Sequence, residues 1–117
     1  MLRERDIEKE LKEAVEASGG LCYKWVSPGN NGVPDRIVIL PGGEICFVEL
    51  KTATGQVSPI QRAQLRKLAK MLPMQVFVLR GIPGVVWFLE KHRMKEAAEK
   101  LEAKYPEEKG GFFSYAL

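Results

Sequence analysis

The sequence is poor in the soft side chains that bind transition metals: one histidine and two cysteines in 117 residues. No Cys pair stands at ligand spacing, so the linear order supports no zinc site. Cys22 and Cys46 fall within apolar runs of strand character, which reads as two buried thiols rather than a disulfide. Long hydrophobic runs are also missing. No stretch nears the ~18 apolar residues of a membrane helix, and charge begins at Arg3, unlike a secretory leader. The expected setting is the reducing cytoplasm. Neither repeats nor low-complexity runs are visible. Charge of one sign is not in large excess. A net +3 permits a nucleic-acid partner without demanding one, so any basic surface must come from clustering. With 45% hydrophobic and 28% charged residues, the chain has the composition of one soluble globular domain.

What is present is organised around residues 32–51. Two apolar runs of strand length, Asp35 to Leu40 and Glu44 to Lys51, are joined by Pro41-Gly42-Gly43. A three-residue loop with Gly in the left-handed conformation would pair Leu40 with Glu44. Counting outward, Asp35 then lies opposite Glu49 and shares its face, with Lys51 on the same side. A two-residue Gly42-Gly43 loop without a bulge would split the carboxylates between the two faces. The three-residue loop is the expectation.

Two carboxylates brought that close repel, so they share a proton or hold a divalent cation between them. Hard oxygen ligands suit Mg²⁺ or Mn²⁺, and the Lys51 ammonium can meet the negative charge that builds on a reacting phosphate. Phosphodiester hydrolysis is the chemistry this set fits. The plain alternative is an ion pair at the strand ends.

The flanking elements follow from periodicity. Residues 3–18 read as an amphipathic helix with Ile7, Leu11, Ala14 and Val15 on one side, stopped by Gly19-Gly20. Glu8 falls close to the apolar stripe and Glu4 one turn earlier, while Glu10, Glu13 and Glu16 are expected to turn away. Leu21 to Val26 is a first strand, in which Lys24 is the odd residue. Residues 27–32 form a loop leading to Asp35, so Ser27, Asn30 and Asn31 should line the mouth of the site. Ser58-Pro59-Ile60-Gln61 opens a second helix with a capping-box pattern, running to about Leu72. Its Leu65, Leu68 and Leu72 should face the sheet, and Arg62, Arg66 and Lys70 make a basic ridge suited to backbone phosphates. Gln75 to Arg80 is a covered strand, broken by Gly81-Ile82-Pro83. Val85 to Leu89 suits strand or helix, His92 reads as a surface residue, and residues 90–105 read as one solvent-bathed helix with a thin apolar side. The tail from Gly110 carries Phe112, Phe113 and Tyr115, which need burial on this core or on a second subunit.

Pro34-Asp35, thirteen intervening residues and Glu49-Leu50-Lys51 resemble the PD-(D/E)xK nuclease motif. More specifically, KWVSPGNNGVPDRIVILPGG, FVELK and TGQVSPIQ are similar to the VRR-NUC nuclease family, over about residues 3–89. The resemblance implies an α/β fold, a restriction-endonuclease-like mixed β-sheet flanked by helices. One nuclease domain would then fill residues 1–117, its core at 3–89 and a C-terminal helix and tail at 90–117. It also implies DNA cleavage with Mg²⁺ or Mn²⁺. Asp35 and Glu49 would be metal ligands, joined by the Leu50 carbonyl and by Glu8, with Glu4 in reserve. Lys51 would be catalytic beside Asp35 and Glu49. Val85 to Leu89 becomes a short helix by the same likeness. Candidate DNA contacts are Lys24, which otherwise snorkels to solvent, with Ser27, Asn30, Asn31 and Arg36. Arg62 and Arg66 join them, as does Gln61, which otherwise only closes the capping box; Gln64 stands behind it. The compact stand-alone members resemble Holliday-junction resolvases and act as dimers, which implies a homodimer, branched DNA and a place in DNA repair. The same chemistry on flaps, ends or a duplex site is the alternative. A binding module without turnover is a further one, although the set of Asp35, Glu49 and Lys51 is complete.

Overall fold

The computed structural model describes residues 2–109 and 114–117. The elements are α1 (Glu4–Ala17), β1 (Leu21–Lys24), β2 (Arg36–Ile39), β3 (Ile45–Lys51), α2 (Pro59–Met71), β4 (Val76–Arg80), α3 (Gly81–Lys91), α4 (Lys95–Lys104) and β5 (Tyr115–Ala116). The strands form one mixed sheet in the order β1-β2-β3-β4-β5. β1, β2 and β3 pair antiparallel, β3 and β4 parallel through the α2 crossover, and β4 and β5 antiparallel. The α/β architecture expected from the sequence is the one found.

Strand alternation sorts the core into two layers. Cys22, Val38, Cys46, Val48, Leu50, Phe77 and Leu79 pack with Ile7, Leu11 and Val15 of α1 and with the buried side of α3. On the reverse face Val76 and Val78 pack with Val57 and with Leu65 of α2, and Phe47, Leu68 and Leu72 lean on them. β4 is therefore covered on both sides, and its continuous apolar run is the sequence consequence.

The hairpin at the centre has the expected register. Leu40 N donates to Glu44 O at 2.8 Å, Gly43 N donates to Leu40 O at 2.9 Å, and Arg36 pairs with Val48. Gly42 (φ 102°) and Gly43 (φ 100°) hold the left-handed turn that a side chain would strain.

Three expectations change. Glu10 does not turn away: it is buried on α1, where Lys104 Nζ (2.8 Å) and Tyr105 Oη (2.5 Å) both donate to its Oε2. Gly81 ends β4 as expected. Its left-handed conformation (φ 63°) turns β4 directly into α3, with Pro83 in the first turn where it is tolerated. The single helix expected over 90–105 is two helices. Arg93 (φ 64°) bends the chain, Met94 N donates to Leu89 O, and Met94, Ala98 and Leu101 of the supposedly thin stripe reach the core.

The third change is His92, which is not a surface residue. Its side chain is 7% exposed, its ring packs against Phe77 and Phe88 at centroid distances of 5.3 and 4.4 Å, and its Nδ1 meets Phe88 O at 2.9 Å. Of the aromatic tail, Phe112 and Phe113 lie outside the described residues. Tyr115 and Ala116 pair with Val78 and Phe77, so this part of the tail closes on its own sheet.

Candidate active site

The β2–β3 register sets Asp35, one residue before β2, opposite Glu49 near the end of β3. Beyond Arg36 the strand ladder gives way, and Asp35 Oδ2 accepts the Leu50 amide at 2.8 Å. That bond ties the two halves of the motif together. Lys51 follows on the Glu49 side, its Nζ 3.3 Å from Glu49 Oε2. Both β3 side chains are buried, at 1% and 7% exposure for Glu49 and Lys51.

Helix α2 completes the cluster. Ser58 caps it, Pro59 occupies its first turn, and Gln61 closes the capping box. The capping reading of Gln61 holds, and the same side chain also reaches β3. Its Oε1 accepts from Ser58 N at 3.0 Å and from Lys51 Nζ at 2.9 Å, while its Nε2 donates to Glu49 Oε2 at 3.0 Å. The loop from Ser27 docks on the same helix start. At Gly32 (φ 88°) a Cβ would lie 2.9 Å from the Ile60 backbone, so only glycine lets the loop approach so closely.

The electrostatics oppose two bare carboxylates. Burial pushes the Glu49 carboxyl up to about 7, the negative charge of Asp35 adds to the rise, and Lys51 works against it. Asp35 is also raised, chiefly by burial. The Leu50 amide counters this, and the charges of Glu8 and Glu4 reinforce it. One oxygen of the cluster, Glu49 Oε1, is buried with no hydrogen-bond partner among the described residues. Leaving a buried carboxylate oxygen bare is costly unless a cation or a proton meets it.

The other sequence candidates separate into groups. Glu8 is not bare: Arg36 Nε donates to its Oε1 at 2.6 Å, and Lys24 Nζ stands 4.0 Å away. Arg36, expected at the DNA surface, is drawn inward; its side chain is 13% exposed and also donates to Cys22 O. Glu4 is exposed at the start of α1, and its charge bears on both Asp35 and Glu49. Lys24, Asn30 and Asn31 are exposed beside the site, Ser27 is half-buried, and Asn30 Nδ2 donates to Ser27 Oγ. Arg62, Arg66 and Lys70 are exposed along α2, and Gln64 is half-buried.

Away from these residues the fold assembles a group that linear spacing did not suggest. Single ligand atoms of Glu44, Cys46 and His92 lie within 4.8 Å of one another. Glu44 stands just before β3 and Cys46 within it, two residues apart, but His92 comes from the end of α3, and no spacing rule links the three.

This geometry has counterparts. Over 81 residues the chain is 47% identical to "Putative nuclease p44" of Acyrthosiphon pisum secondary endosymbiont phage 1, covering 68% of this chain and 84% of that protein. A solved structure described as "VRR_NUC domain" superposes with a TM-score of 0.69 at 35% identity, over 79% of this chain and 98% of its own. The chain belongs to the VRR-NUC family. A second structure, "VRR_NUC domain protein", shares the fold at a TM-score of 0.62 and 16% identity, over 79% of this chain and 88% of its own. No protein-family model matches the sequence. Family membership supports nuclease activity, and the nuclease fold implies use of a divalent metal. Among the described residues no helix is long and apolar enough to cross a membrane.

Proposed function

We propose that this VRR-NUC protein is a metal-dependent endodeoxyribonuclease whose single domain hydrolyses DNA phosphodiesters with Mg²⁺ or Mn²⁺. The observation that carries the reading is the buried Glu49 Oε1, without a partner among the described residues and beside a second acid, a donor set of hard oxygens that fits a small divalent cation. Asp35, Glu49 and the Leu50 carbonyl would hold the ion, with a carboxylate from α1. Between Glu8 and Glu4, the placement favours Glu4, because Arg36 already occupies Glu8. When bound, the ion would neutralise the paired acids and supply Lewis acidity toward the phosphate.

The chain's own groups do the rest. Gln61 holds Glu49 and Lys51 at fixed separation, so the ammonium stays beside the acids rather than swinging to solvent. From there Lys51 orients the attacking water and meets the negative charge that grows on the phosphate. Lys24, Asn30 and Asn31 on one side and Arg62 and Arg66 on the other would take backbone phosphates, which positions DNA without reading its sequence. A cytoplasmic place and a role in DNA repair agree with this chemistry.

A homodimer acting on four-way junctions is the finer reading. It draws support from the sheet face that α2 leaves open. Register aligns Leu21 with Ile39 and Ile45, and Tyr23 with Ile37 and Phe47, and of these Leu21, Tyr23 and Ile45 are exposed. An apolar face of this kind suits a twofold interface, and two sites at fixed spacing suit two strands of a junction.

The test is a panel of linear, flapped and four-way DNA with Mg²⁺, Mn²⁺ or chelator, using wild type, Asp35→Asn and Lys51→Ala. Each variant is expected to lose cleavage by at least about 10²-fold while retaining DNA binding. Near wild-type cleavage by either would remove the mechanism. Preference for flaps or ends, or a one-subunit mass by light scattering, would remove the junction and dimer readings.

A further inference from the structure

We propose that Glu44, Cys46 and His92 form a Zn²⁺ site distinct from the candidate active site. Cys46 and Glu49 lie three residues apart on β3, roughly 10 Å along the strand, and an odd spacing turns them to opposite faces. Cys46 belongs to the layer under α1 and α3, whereas Glu49 is bonded to Gln61 of α2.

The imidazole is set up as a ligand. A carbonyl only accepts, so the 2.9 Å contact with Phe88 O requires the proton of neutral His92 on Nδ1. Nε2 then presents its lone pair, and Phe77 and Phe88 fix the ring's direction. A backbone carbonyl on the far nitrogen is the usual outer support of a metal-bound histidine. Nε2 points at Cys46 Sγ, 3.9 Å away, and lies 4.0 Å from Glu44 Oε2.

Those separations are close to what zinc needs. With Zn–S near 2.3 Å and Zn–N or Zn–O near 2.0–2.1 Å, tetrahedral ligand atoms stand about 3.3–3.6 Å apart. The Cys46–His92 pair needs to close by about 0.3 Å. Glu44 has farther to come, since the three ligand atoms lie within 4.8 Å of one another, and its exposed side chain is free to swing in. A thiolate with imidazole and carboxylate selects Zn²⁺ over Mg²⁺ or Mn²⁺, and the two acidic ligands balance the ion's charge. Access comes from a groove of about 220 Å³ lined by Glu44, His92, Lys91, Arg93, Leu40 and Pro41, which leaves room for water at a fourth position. Bound there, zinc would clip the start of β3 to the α3–α4 bend.

The full chain is titrated with Zn²⁺ and with Co²⁺ as a spectroscopic substitute. One equivalent of Co²⁺ is expected to give thiolate-to-metal charge-transfer absorption and the intense visible bands of a tetrahedral ion. Both should vanish in Cys46→Ser and persist in the double variant Asp35→Asn, Glu49→Gln. Glu44→Gln, at an exposed position that leaves packing alone, is expected to weaken Zn²⁺ binding at least tenfold. A wild-type Co²⁺ spectrum without a thiolate band would overturn the site, leaving a Cys46 S–H to His92 Nε2 hydrogen bond as the whole relationship. So would Zn²⁺ affinity that neither Glu44→Gln nor Cys46→Ser changes.

Discussion

Gln61 and Glu49 are joined by a hydrogen bond of 3.0 Å, and the other end of the same amide closes the capping box of α2. Helix nucleation and site geometry therefore meet in one side chain. Removing it should cost both, and the two costs can be separated. Ser58→Ala removes the cap but leaves Gln61 on Glu49 and Lys51, so it should lower stability by about 1 kcal/mol with little change in cleavage. Gln61→Ala should lose a similar amount of stability and also reduce cleavage on the order of tenfold, because Lys51 and Glu49 lose their shared partner. Chemical denaturation beside single-turnover cleavage checks the pair. Equal cleavage in the two variants would reduce Gln61 to a cap.

The raised Glu49 carboxyl makes a claim about pH. Its folded value of about 7 stands above the ordinary 4.5, so between these values the native state binds more protons than the unfolded chain. Stability falls with rising pH wherever that is so. The contribution is intact below about 4.5 and lost as pH rises through 7. Measured in chelator against Glu49→Gln, wild type should lose on the order of 3 kcal/mol of relative stability from pH 4.5 to 8. A cation competes with that proton, so Mn²⁺ affinity should rise across the same window with release of a proton. Calorimetry in buffers of different ionisation enthalpy reads the release. A pH-independent affinity would sink this assignment.

Glu4 and Glu8, one turn apart on α1, should fail in different ways. Glu8→Gln leaves the Arg36 guanidinium poorly paired at 13% exposure, which should destabilise the fold by about 1–3 kcal/mol. Glu4 is exposed, so Glu4→Gln should leave the melting temperature near wild type while lowering metal affinity and cleavage. The reverse pattern, a stable Glu8→Gln that no longer cuts, would return the ligand role to Glu8.

What the sequence made readable was local. The Pro41-Gly42-Gly43 loop fixed the register that sets Asp35 against Glu49, because loop length and alternation leave few options. Ser58, Pro59 and Gln61 announced α2 by the same kind of short-range chemistry. What stayed hidden depends on distant partners. Glu10 reads as solvated by helical phase, since its donors Lys104 and Tyr105 lie 94 and 95 residues away. His92 reads as surface because Phe77 and Phe88 close around it only once β4 and α3 have packed. Arg36 follows a motif acid and so reads as a phosphate contact, until α1 presents Glu8 to it. Gln61 sat between two readings because its capping role was visible in the sequence and its reach to β3 was not.

Glu10 also offers a test of how firmly α4 is held. Burial opposes its ionisation, but the bonds from Lys104 and Tyr105 outweigh that, and the carboxyl lies below its ordinary value. A lowered folded value stabilises above the unfolded one and is lost as pH falls through it. Glu10→Gln keeps the size while removing the charge, and Tyr105→Phe removes one donor. Each should cost about 1–2 kcal/mol at neutral pH, with the Glu10→Gln deficit shrinking as pH drops below 4.5. Because Met94, which caps α4, and Ala98 and Leu101 within it belong to the layer shared with α1 and α3, the loss should appear first as faster amide exchange in α4. The far face that carries Glu49 and Lys51 should exchange as before. A uniform rise in exchange across both faces would mean that α4 folds as one unit with the whole sheet, and the Glu10 pair would then be a global tie rather than a local latch.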